Sequence, residues 1–455
     1  MLRFAKKKVR HMTPARVMTL GFLFLIFLGA VVLTFPFCYR DGNRTSFVDA
    51  LFTSTSASCV TGLTIYDTYT IFSPFGQVVI LVLIQIGGLG IMTLTTFFSL
   101  MISKKLGLRN MQVAGEALSH DSFSDMKKLL KTVIAFTFAV EAAGALLYSF
   151  YFIPEYGFLH GGAISGFLAI SGYCNAGFDI LGFKGPSSSF LSLNQNPYVL
   201  VLTMLLVIIG GLGFIVWNDL FNFRKNRKLL LHTKIVLMMS GILILSGAVL
   251  IFLCEQGNSL KDMPVGGKIL NSFFQSVTSR SSGFDSIGQE NLSAGGKLTT
   301  ILLMFIGTAP GSTGGGIKIT TFAVILFTML SVLRGKNDTM IFGRTVKKQT
   351  VYKSFVLTFI ALGAIIIASI TTIMSSGVLN NLSHELDCIV ESVSAFGTVG
   401  LTTGISNSTN TLGKAILSLT MFLGRVGPVS VGFSLTLKNR RTRSEVAPDA
   451  KIIVG

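Results

Sequence analysis

Four segments of the sequence each place a glycine after a pair of small, polar or β-branched residues. They are Val60-Thr61-Gly62, Asn175-Ala176-Gly177, Ser281-Ser282-Gly283 and Thr398-Val399-Gly400. Glycine tolerates positive φ, which lets the carbonyls around it point in one direction. Oxygens arranged in this way can replace the water shell of a dehydrated monovalent cation. One such segment is more often an ordinary loop, so the prediction of a cation site depends on the fourfold repetition.

The segments belong to a repeat that extends beyond these glycines. Consecutive glycines are 115, 106 and 117 residues apart, and each follows a short stretch with helical character. A second glycine recurs 25, 33, 24 and 24 residues downstream, at Gly87, Gly210, Gly307 and Gly424. Self-similarity of this kind indicates a repeated structural unit. We interpret the unit as a helix, a short helix, a glycine loop and a second helix, present four times.

The helices that would hold these loops are apolar enough to cross a membrane. Half of the 455 residues are hydrophobic, only 13% are charged, and the mean hydropathy is +0.67. Several apolar runs approach the ~20 residues of a spanning helix. The first, 17–36, ends without a small-x-small cleavage site, which favours a retained helix over a signal peptide. The composition predicts an all-α polytopic membrane protein in a lipid bilayer.

The basic residues predict which side of the membrane each loop faces. Of the 38 Lys and Arg residues, 28 lie in segments 1–16, 103–131, 224–234, 334–353 and 438–451. By the positive-inside rule these five segments are cytoplasmic. Five cytoplasmic segments imply eight spanning helices with both termini inside. The net charge of +18 is then explained by topology and is poor evidence for nucleic-acid binding.

Together these observations predict four helix–pore-loop–helix units around one axis. Each segment predicted to lie on the outer side contains a stretch with helical character that is too short to span the membrane. Such a stretch is typical of a re-entrant helix. Short helices whose C-terminal ends converge would place partial negative charge at the axis and favour cations there. The units are predicted at 17–102, 127–222, 232–334 and 350–437, between cytoplasmic tails at 1–16 and 438–455.

Charged residues near the glycines have more than one interpretation. Asp179 and Asp285 would add negative charge at the outer mouth of a pore, or would cap helices. Arg280 is the only basic residue near one of the four glycines, and we expect it to form a salt bridge at the outer rim. The five cysteines and five histidines show no metal-ligand spacing or cluster, which disfavours a polytopic membrane enzyme.

The second helix of the third unit cannot be continuous. Between Ile306 and Ile317 it contains one proline and five glycines, and in a helix interior Pro costs ~3 kcal/mol and Gly ~1 kcal/mol. We predict a loop at mid-membrane that lines the pore. The text GSTGGGIK lacks the Gly-Lys-Ser/Thr ending of a phosphate-binding loop, which disfavours a nucleotide site. The stretches IQIGGLGIMT and VIIGGLGFIVW are expected to lie inside spanning helices, where glycine permits close helix approach.

Arg425 lies in an apolar stretch that we predict to be the interior of the last helix. An arginine at mid-membrane costs ~2.5–3.5 kcal/mol on insertion scales, and it usually faces a cavity or pairs with another group. Our favoured interpretation is that Arg425 faces the pore, holds the 307–317 loop through its carbonyls and places a positive barrier beneath the ion. A structural ion pair with Glu141 is the alternative.

The chain resembles the Trk/Ktr/HKT superfamily of potassium transporters in three features. These are the fourfold pattern, the sequence Thr-Val-Gly-Leu at 398–401 and the broken helix. Within this superfamily, the chain is most similar to the membrane subunit (KtrB) of bacterial Ktr systems, over about residues 17–437. The resemblance implies a pseudo-fourfold pore for K⁺ uptake, often Na⁺-dependent, in a homodimer of the bacterial cytoplasmic membrane. It also implies a KtrA-like cytoplasmic regulatory ring through which ATP or ADP would act, and no cofactor in this chain.

The resemblance assigns roles to two sets of residues. The twelve residues of the four glycine segments become the selectivity filter, with K⁺ held at the glycines. An intramembrane gate is assigned to Gly307, Gly311, Ser312, Thr313, Gly314, Gly315, Gly316 and Arg425. Only the fourth unit has Thr-Val-Gly, and no unit has the second glycine of the Thr-Val-Gly-Tyr-Gly filter of potassium channels. We therefore expect one strong ion site, and a cation channel or carrier with weak K⁺ over Na⁺ selectivity is the alternative.

Overall fold

The fold was analysed in a computed structural model that describes residues 14–40, 45–90, 126–376 and 382–427. Within these residues the chain is mostly helical, with one hairpin formed by β1 (Met340–Ile341) and β2 (Arg344–Thr345). The helices are α1 (Pro14–Leu33), α2 (Phe47–Cys59), α3 (Thr68–Ile71), α4 (Pro74–Leu89), α5 (Met126–Tyr156), α6 (Phe158–Cys174), α7 (Pro197–Gly211), α8 (Phe214–Asn226), α9 (Leu231–Glu255), α10 (Val265–Thr278), α11 (Ala294–Phe305), α12 (Ile319–Leu333), α13 (Lys348–Ser375), α14 (Leu382–Gly397), α15 (Ile405–Ser408) and α16 (Thr411–Val426). Most of the predicted N-terminal tail, the basic loop at 103–125 and the tail at 438–455 lie outside the described residues, as do the ends of the first and last predicted units.

The same order of helices recurs four times in the described chain. A long helix, a short helix and a second helix follow one another as α1-α2-α4, α5-α6-α7, α9-α10-α11 and α13-α14-α16. In each set the long helix packs against its short helix. The second helix packs against the short helix of the next set, and α16 of the last set packs against α2 of the first. The four sets therefore close into a ring.

The long helices have the length and apolar surface of membrane spans. In the described residues α1, α5, α9 and α13 each suffice to cross a bilayer, and α7 with α8 makes a fifth span if this pair, bent by 94°, is counted as one. Their exposed faces carry large apolar side chains such as Leu146, Leu253 and Ile367. The helices α4, α11 and α12 are apolar but have only 16, 12 and 15 residues. The described helices fit a membrane protein, and the total of eight spans stays a prediction.

Each second helix begins at a side-chain N-cap. The oxygens of Ser73, Asn196, Ser293 and Asn410 accept backbone N–H groups at the starts of α4, α7, α11 and α16, at 3.0–3.2 Å. Such a cap contributes about 1 kcal/mol. Proline follows Ser73 and Asn196 at the first helical position, where its missing N–H has no intrahelical partner to lose. The caps fix where the chain turns back after each glycine loop.

Glycines with positive φ follow the second helices of the first, second and fourth units, which corrects part of the prediction for the two GGLG stretches. Helix α4 ends before Gly90 (φ 80°), α7 and α8 are bent around Gly213 (φ 86°), and α16 ends before Gly427 (φ 86°). Positive φ at Gly90 and Gly213 terminates the helical hydrogen-bond pattern, so neither helix continues unbroken through its whole stretch. The paired glycines Gly87-Gly88 and Gly210-Gly211 do lie inside α4 and α7, as predicted. The predicted position of Arg425 is also wrong, since it lies in the last turn of α16 and not in the helix interior.

The recurring downstream glycines lie where each second helix passes the end of a short helix. Cβ atoms built on Gly87, Gly210 and Gly424 would lie 2.1, 2.0 and 1.9 Å from the carbonyl oxygens of Ser58, Tyr173 and Phe396. Each of these carbonyls belongs to the residue four positions before a glycine of the first pattern. A side chain there would separate the two backbones. In the third unit Gly307 instead meets the carbonyl of Gly315, because here the chain leaves the helix after Phe305 and loops until Ile319.

Candidate functional site

The four glycines of the first pattern, here called the ring glycines, lie together. Cβ atoms built on Gly62, Gly177, Gly283 and Gly400 would lie 2.4, 2.5, 2.2 and 2.3 Å from the carbonyl oxygens of Ala176, Ser282, Val399 and Thr61. Each glycine thus touches the carbonyl that precedes the ring glycine of the next unit, and the fourth touches the first. Real Cβ atoms do not approach oxygens this closely, so only glycine allows the ring to close at this diameter.

The ends of the short helices explain why carbonyls are available at the ring. Directly after α2, α6 and α14, the residues Val60, Asn175 and Thr398 adopt left-handed φ values of 59°, 59° and 48°. The next N–H donates back to the helix, from Thr61 to the Ser56 carbonyl and from Ala176 to the Ser171 carbonyl, both at 2.8 Å. This is the Schellman arrangement of a helix C-terminus. Because the N–H groups are satisfied inside each unit, the carbonyls of these loops face the neighbouring unit.

The third loop reaches the ring differently. Ser281 is not left-handed, and Ser282 donates its N–H to the Thr278 carbonyl at 2.9 Å. The hydroxyl of Thr278 then donates to the carbonyl of Phe284 at 2.8 Å, as Ser171 does to Phe178 in the second unit at 2.6 Å. The four loops therefore follow similar paths, but the third differs in backbone conformation and in its hydrogen bonds to the preceding helix.

A vestibule of about 390 Å³ lies on one side of the ring and is lined by all four ring glycines. Among the described residues its wall carries four carboxylates, from Asp67, Asp179, Asp285 and Glu290, and no Lys or Arg. Asp285 also accepts the N–H groups of Ile287, Gly288 and Gln289 at 3.0–3.1 Å. Both interpretations offered for Asp285, a charge at the mouth and a cap of a helical turn, therefore apply.

Asp179 is one of the partly buried carboxylates of the vestibule. It accepts the N–H of Leu181 at 2.9 Å, which is a turn within its own loop and not the cap of a helix. Burial raises the pKa of Asp179 to about 6, and the nearby Asp67 acts in the same direction. The negative charge of the vestibule consequently depends on pH in the range where Asp179 titrates.

On the other side of the ring, the 306–318 loop of the third unit lies directly beneath the glycines. Cβ atoms built on Gly314 and Gly315 would lie 2.2 and 2.3 Å from the hydroxyl oxygens of Ser281 and Thr398. Thr313 donates its hydroxyl to the Tyr173 carbonyl at 3.2 Å. The loop thus touches the second, third and fourth units below the ring.

Two cationic side chains hold this loop through backbone carbonyls. Arg425 donates to the carbonyls of Thr313 in the loop and of Gly87 at the end of α4, and more distantly to Gly88 at 3.5 Å. Lys318 donates to the carbonyl of Gly314 at 2.6 Å. The predicted contact between Arg425 and the loop carbonyls is present. The alternative ion pair with Glu141 is wrong, because Glu141 accepts instead from Gln85 at 2.9 Å and the ion pairs of the described residues involve other groups.

Comparison with known proteins agrees with this architecture. The family model described as TrkH, cation transport protein, matches residues 2–441. The chain belongs to the TrkH family.

Curated relatives of this TrkH-family chain cover it almost completely. It is 38% identical to the potassium/sodium uptake protein NtpJ of Enterococcus hirae over 99% of both chains. It is 36% identical to the Ktr system potassium uptake protein B of Bacillus subtilis over 97% of both. The crystal structure of the potassium transporter TrkH from Vibrio parahaemolyticus shares the fold, with a TM-score of 0.69 and 17% identity over 92% of this chain and 84% of that one. The resemblance to the Ktr membrane subunit is confirmed, and membership in a family of cation transport proteins confirms that the chain is not an enzyme.

Two basic residues of this TrkH-family chain differ from expectation. Lys318 was not predicted as a site residue, although a lysine within an apolar stretch, two residues after a glycine run, carries the same signal as Arg425. Arg280 does not form the predicted salt bridge in the described structure. It follows α10, is 8% exposed, and donates to the hydroxyl of Ser240 at 3.4 Å. It lines a small cavity with residues of the second and third units, such as Asn175 and Thr308, and it does not line the vestibule.

Several hydroxyls next to the ring glycines have no hydrogen-bond partner in the described structure. They are those of Thr61, Ser281, Ser282 and Thr398, each 0% exposed. A buried hydroxyl without a partner costs about 1–3 kcal/mol. Groups of this kind indicate a place where water or an ion completes the coordination.

Proposed function

We propose that this chain takes up K⁺ across the bacterial cytoplasmic membrane through a pore whose selectivity filter is the ring of Gly62, Gly177, Gly283 and Gly400. The observation that carries the proposal is the closed contact of the four ring glycines with one another's preceding carbonyls. The relatives named as potassium uptake proteins support K⁺ as the substrate.

In this mechanism, backbone oxygens replace water around the ion. The short helices α2, α6, α10 and α14 end at the ring, and a helix C-terminus carries about half a negative charge. K⁺ is attracted into the vestibule by its carboxylates, loses water at the ring and is coordinated by the filter residues 60–62, 175–177, 281–283 and 398–400. The unpartnered hydroxyls of Ser281 and Thr398 face the same axis below the glycines. We assign one strong ion site at the glycines, since no unit has a second filter glycine.

The gate is the loop with Gly307, Gly311, Ser312, Thr313, Gly314, Gly315 and Gly316, held closed by Arg425. The contacts of Gly314 and Gly315 with the hydroxyls of Ser281 and Thr398 below the ring support this obstruction. The charges of Arg425 and Lys318 would oppose a cation that leaves the filter. Opening requires the loop carbonyls to exchange these donors for water. Few side chains anchor the loop, so we propose that it has an alternative position of similar energy.

We further propose the membrane topology and partners implied by the family. The five basic segments place both termini in the cytoplasm. The relatives named as components of a Ktr system support a further component as partner. We propose that this partner is a cytoplasmic KtrA-like ring that responds to ATP or ADP, and that the chain forms a homodimer, as the family resemblance implies. The relative named for both potassium and sodium supports Na⁺ as a coupling or activating ion.

A second candidate function is that of a cation channel or carrier with weak selectivity. It is favoured by the filter sequences, because only the fourth unit has Thr-Val-Gly. Isotope flux in proteoliposomes that contain the purified chain distinguishes the two functions. Uptake of ⁸⁶Rb⁺ should be inhibited by K⁺ at much lower concentrations than by Na⁺. Equal inhibition by both ions would favour the weakly selective pore, and absence of flux with any monovalent cation would reject both.

Arg425 provides a test of the gate. Arg425→Gln keeps a donor for the loop carbonyls and removes the positive charge, so we expect basal ⁸⁶Rb⁺ flux to rise severalfold. Arg425→Lys keeps the charge and loses the two-pronged hydrogen bonding, and should give a smaller increase. If both variants fold and conduct at the unmodified rate, Arg425 is a structural residue only.

The vestibule provides a test by pH. Asp179 is charged above its pKa of about 6 and neutral below it. Lowering the external pH from 7 to 5 should therefore remove one of four vestibule charges and reduce the apparent affinity for K⁺ roughly twofold. Asp179→Asn should abolish this pH step and leave affinity low at both pH values. A step of the same size in Asp179→Asn would assign it to another group.

A further inference from the structure

The hairpin between α12 and α13 has an unusual turn. Its two central residues, Phe342 and Gly343, have φ values of 47° and 73°. Turns with two positive φ values favour Asn-Gly or Asp-Gly, and a bulky aromatic residue is disfavoured at the first position. Phe342 is nevertheless placed there and is 53% exposed. The strained turn therefore carries an aromatic side chain that is about half exposed.

The hairpin is fixed against the membrane domain. The hydroxyls of Thr339 and Thr328 hydrogen-bond at 2.9 Å, which folds the strand back over the second half of α12. Ile341 is 1% exposed and packs in a cluster with Val324 of α12 and Val216 of α8. The same cluster contains Ile306 and Ala309 of the gate loop. The position of the hairpin is therefore connected by packing to the loop beneath the ring.

The outward apolar surface of the protein ends beside the hairpin. Met329 and Leu333 of α12 are 56% and 82% exposed, and Tyr352 and Phe359 of α13 are 66% and 71% exposed. Large apolar residues exposed in this way face lipid tails in a membrane protein. Aromatic residues such as Tyr352 collect at the level of the lipid headgroups. The tip residue Phe342 belongs to this boundary.

The flanks of the hairpin are strongly basic. The exposed cationic residues are Arg334, Lys336, Arg344, Lys347, Lys348 and Lys353, against one acid, Asp338. None of the ion pairs found in the described residues involves them. Six unpaired cations beside an exposed aromatic residue are complementary to an anionic, partly apolar surface.

We propose that the 339–346 hairpin and its basic flanks bind the headgroups of anionic phospholipids in the cytoplasmic leaflet. Arg344, Lys347 and Lys348 bind phosphate, and Phe342 inserts at the boundary between headgroups and acyl chains. Through Ile341 and its cluster, a bound lipid stabilises the described position of the gate-loop flanks. The assignment to the cytoplasmic leaflet rests on the proposed topology.

Fluorescence quenching tests the binding without any requirement for ion transport. The chain has a single tryptophan, Trp217, so Trp217→Phe with Phe342→Trp places one fluorophore at the tip. In nanodiscs of phosphatidylcholine with a fixed fraction of brominated lipid, brominated phosphatidylglycerol should quench at least twofold more than brominated phosphatidylcholine. Adding Arg344→Gln, Lys347→Gln and Lys348→Gln should abolish the difference. Equal quenching by both lipids before those changes, or quenching only by aqueous acrylamide, would overturn the proposal and favour docking of a soluble partner.

A second variant separates lipid binding from folding. Phe342→Asn suits the positive φ, so the unmodified thermal stability in detergent should be kept or raised. The increase in melting temperature on adding phosphatidylglycerol should fall to less than half. Lys261→Gln, an exposed lysine beyond the other end of α9, is the control and should keep the full increase. An unchanged increase in Phe342→Asn would contradict the proposal, whereas loss of K⁺ uptake alone would concern only the function of the pore.

Discussion

Gly400→Ser is expected to lower the apparent affinity for K⁺ by tenfold or more. Gly400 has a φ of 96°, and a Cβ there would lie 2.3 Å from the carbonyl oxygen of Thr61. Left-handed φ costs a residue with a side chain about 1–2 kcal/mol, and the displaced carbonyl is a proposed ion ligand. A loss of 1.4 kcal/mol in binding corresponds to a factor of ten. The measurement is the K⁺ dependence of ⁸⁶Rb⁺ uptake in proteoliposomes.

Gly404→Ser is the matched control for this change. Gly404 has a similar φ of 87°, but nothing lies within 4 Å of a Cβ built on it. The control therefore introduces the same backbone strain without crowding the ring, and its K⁺ affinity should be close to that of the unmodified chain. If Gly400→Ser also kept its affinity, or if both variants lost it equally, the ring would not be the ion site.

Deletion of residues 311–315 is expected to raise basal flux by an order of magnitude. The deleted segment contains Gly314 and Gly315, which lie against the hydroxyls of Ser281 and Thr398 below the ring. It also removes the Thr313 carbonyl that accepts from Arg425. Without this segment the loop loses its contacts below the ring, so the proposed obstruction should be removed. Basal ⁸⁶Rb⁺ flux without a regulatory partner is the measurement.

A single substitution tests the same obstruction with less disturbance of the fold. Gly314→Ala would place a Cβ 2.2 Å from the Ser281 hydroxyl oxygen, so the loop must move away from the ring and basal flux should rise. Gly363→Ala is the control, since nothing lies within 4 Å of a Cβ at Gly363 in α13, and its flux should not change. Unaltered flux in the deletion and in Gly314→Ala, with both proteins folded, would reject the gate.

The meeting of the ring glycines could be predicted because its signals are local and repeated. A helix end, a ring glycine and a downstream glycine recur in each unit. At each ring glycine a side chain is excluded for the same reason, because a Cβ there would collide with a carbonyl of another unit. The loop after Phe305 could be predicted for a similar reason, since proline and five glycines exclude a helix whatever surrounds them. In both places the local residue types alone determine the backbone conformation.

The predictions failed where tertiary packing selects between backbone conformations that the local sequence allows equally well. The sequence stays apolar through Gly90, Gly213 and Gly427, so hydropathy predicts unbroken helices. Positive φ at these glycines ends the helices in the structure. The hairpin at 340–345 was not predicted at all, because its turn has Phe342 where turn rules favour Asn or Asp and the packing of Ile341 holds it in place. Arg280 lacks the predicted salt bridge because the burial of its side chain depends on how α9 and α10 pack. The spacing of residues in the sequence does not predict that packing.

The most direct test of the account is the location of a heavy K⁺ analogue in crystals of the chain. Anomalous diffraction from crystals soaked in Rb⁺ or Tl⁺ should show a peak on the axis at the level of Gly62, Gly177, Gly283 and Gly400, within coordination distance of carbonyls from all four units. The peak should disappear in Gly400→Ser and persist in Gly404→Ser. Ion density confined to the vestibule carboxylates, with none at the ring in a protein that transports Rb⁺, would contradict a filter built from these four glycines.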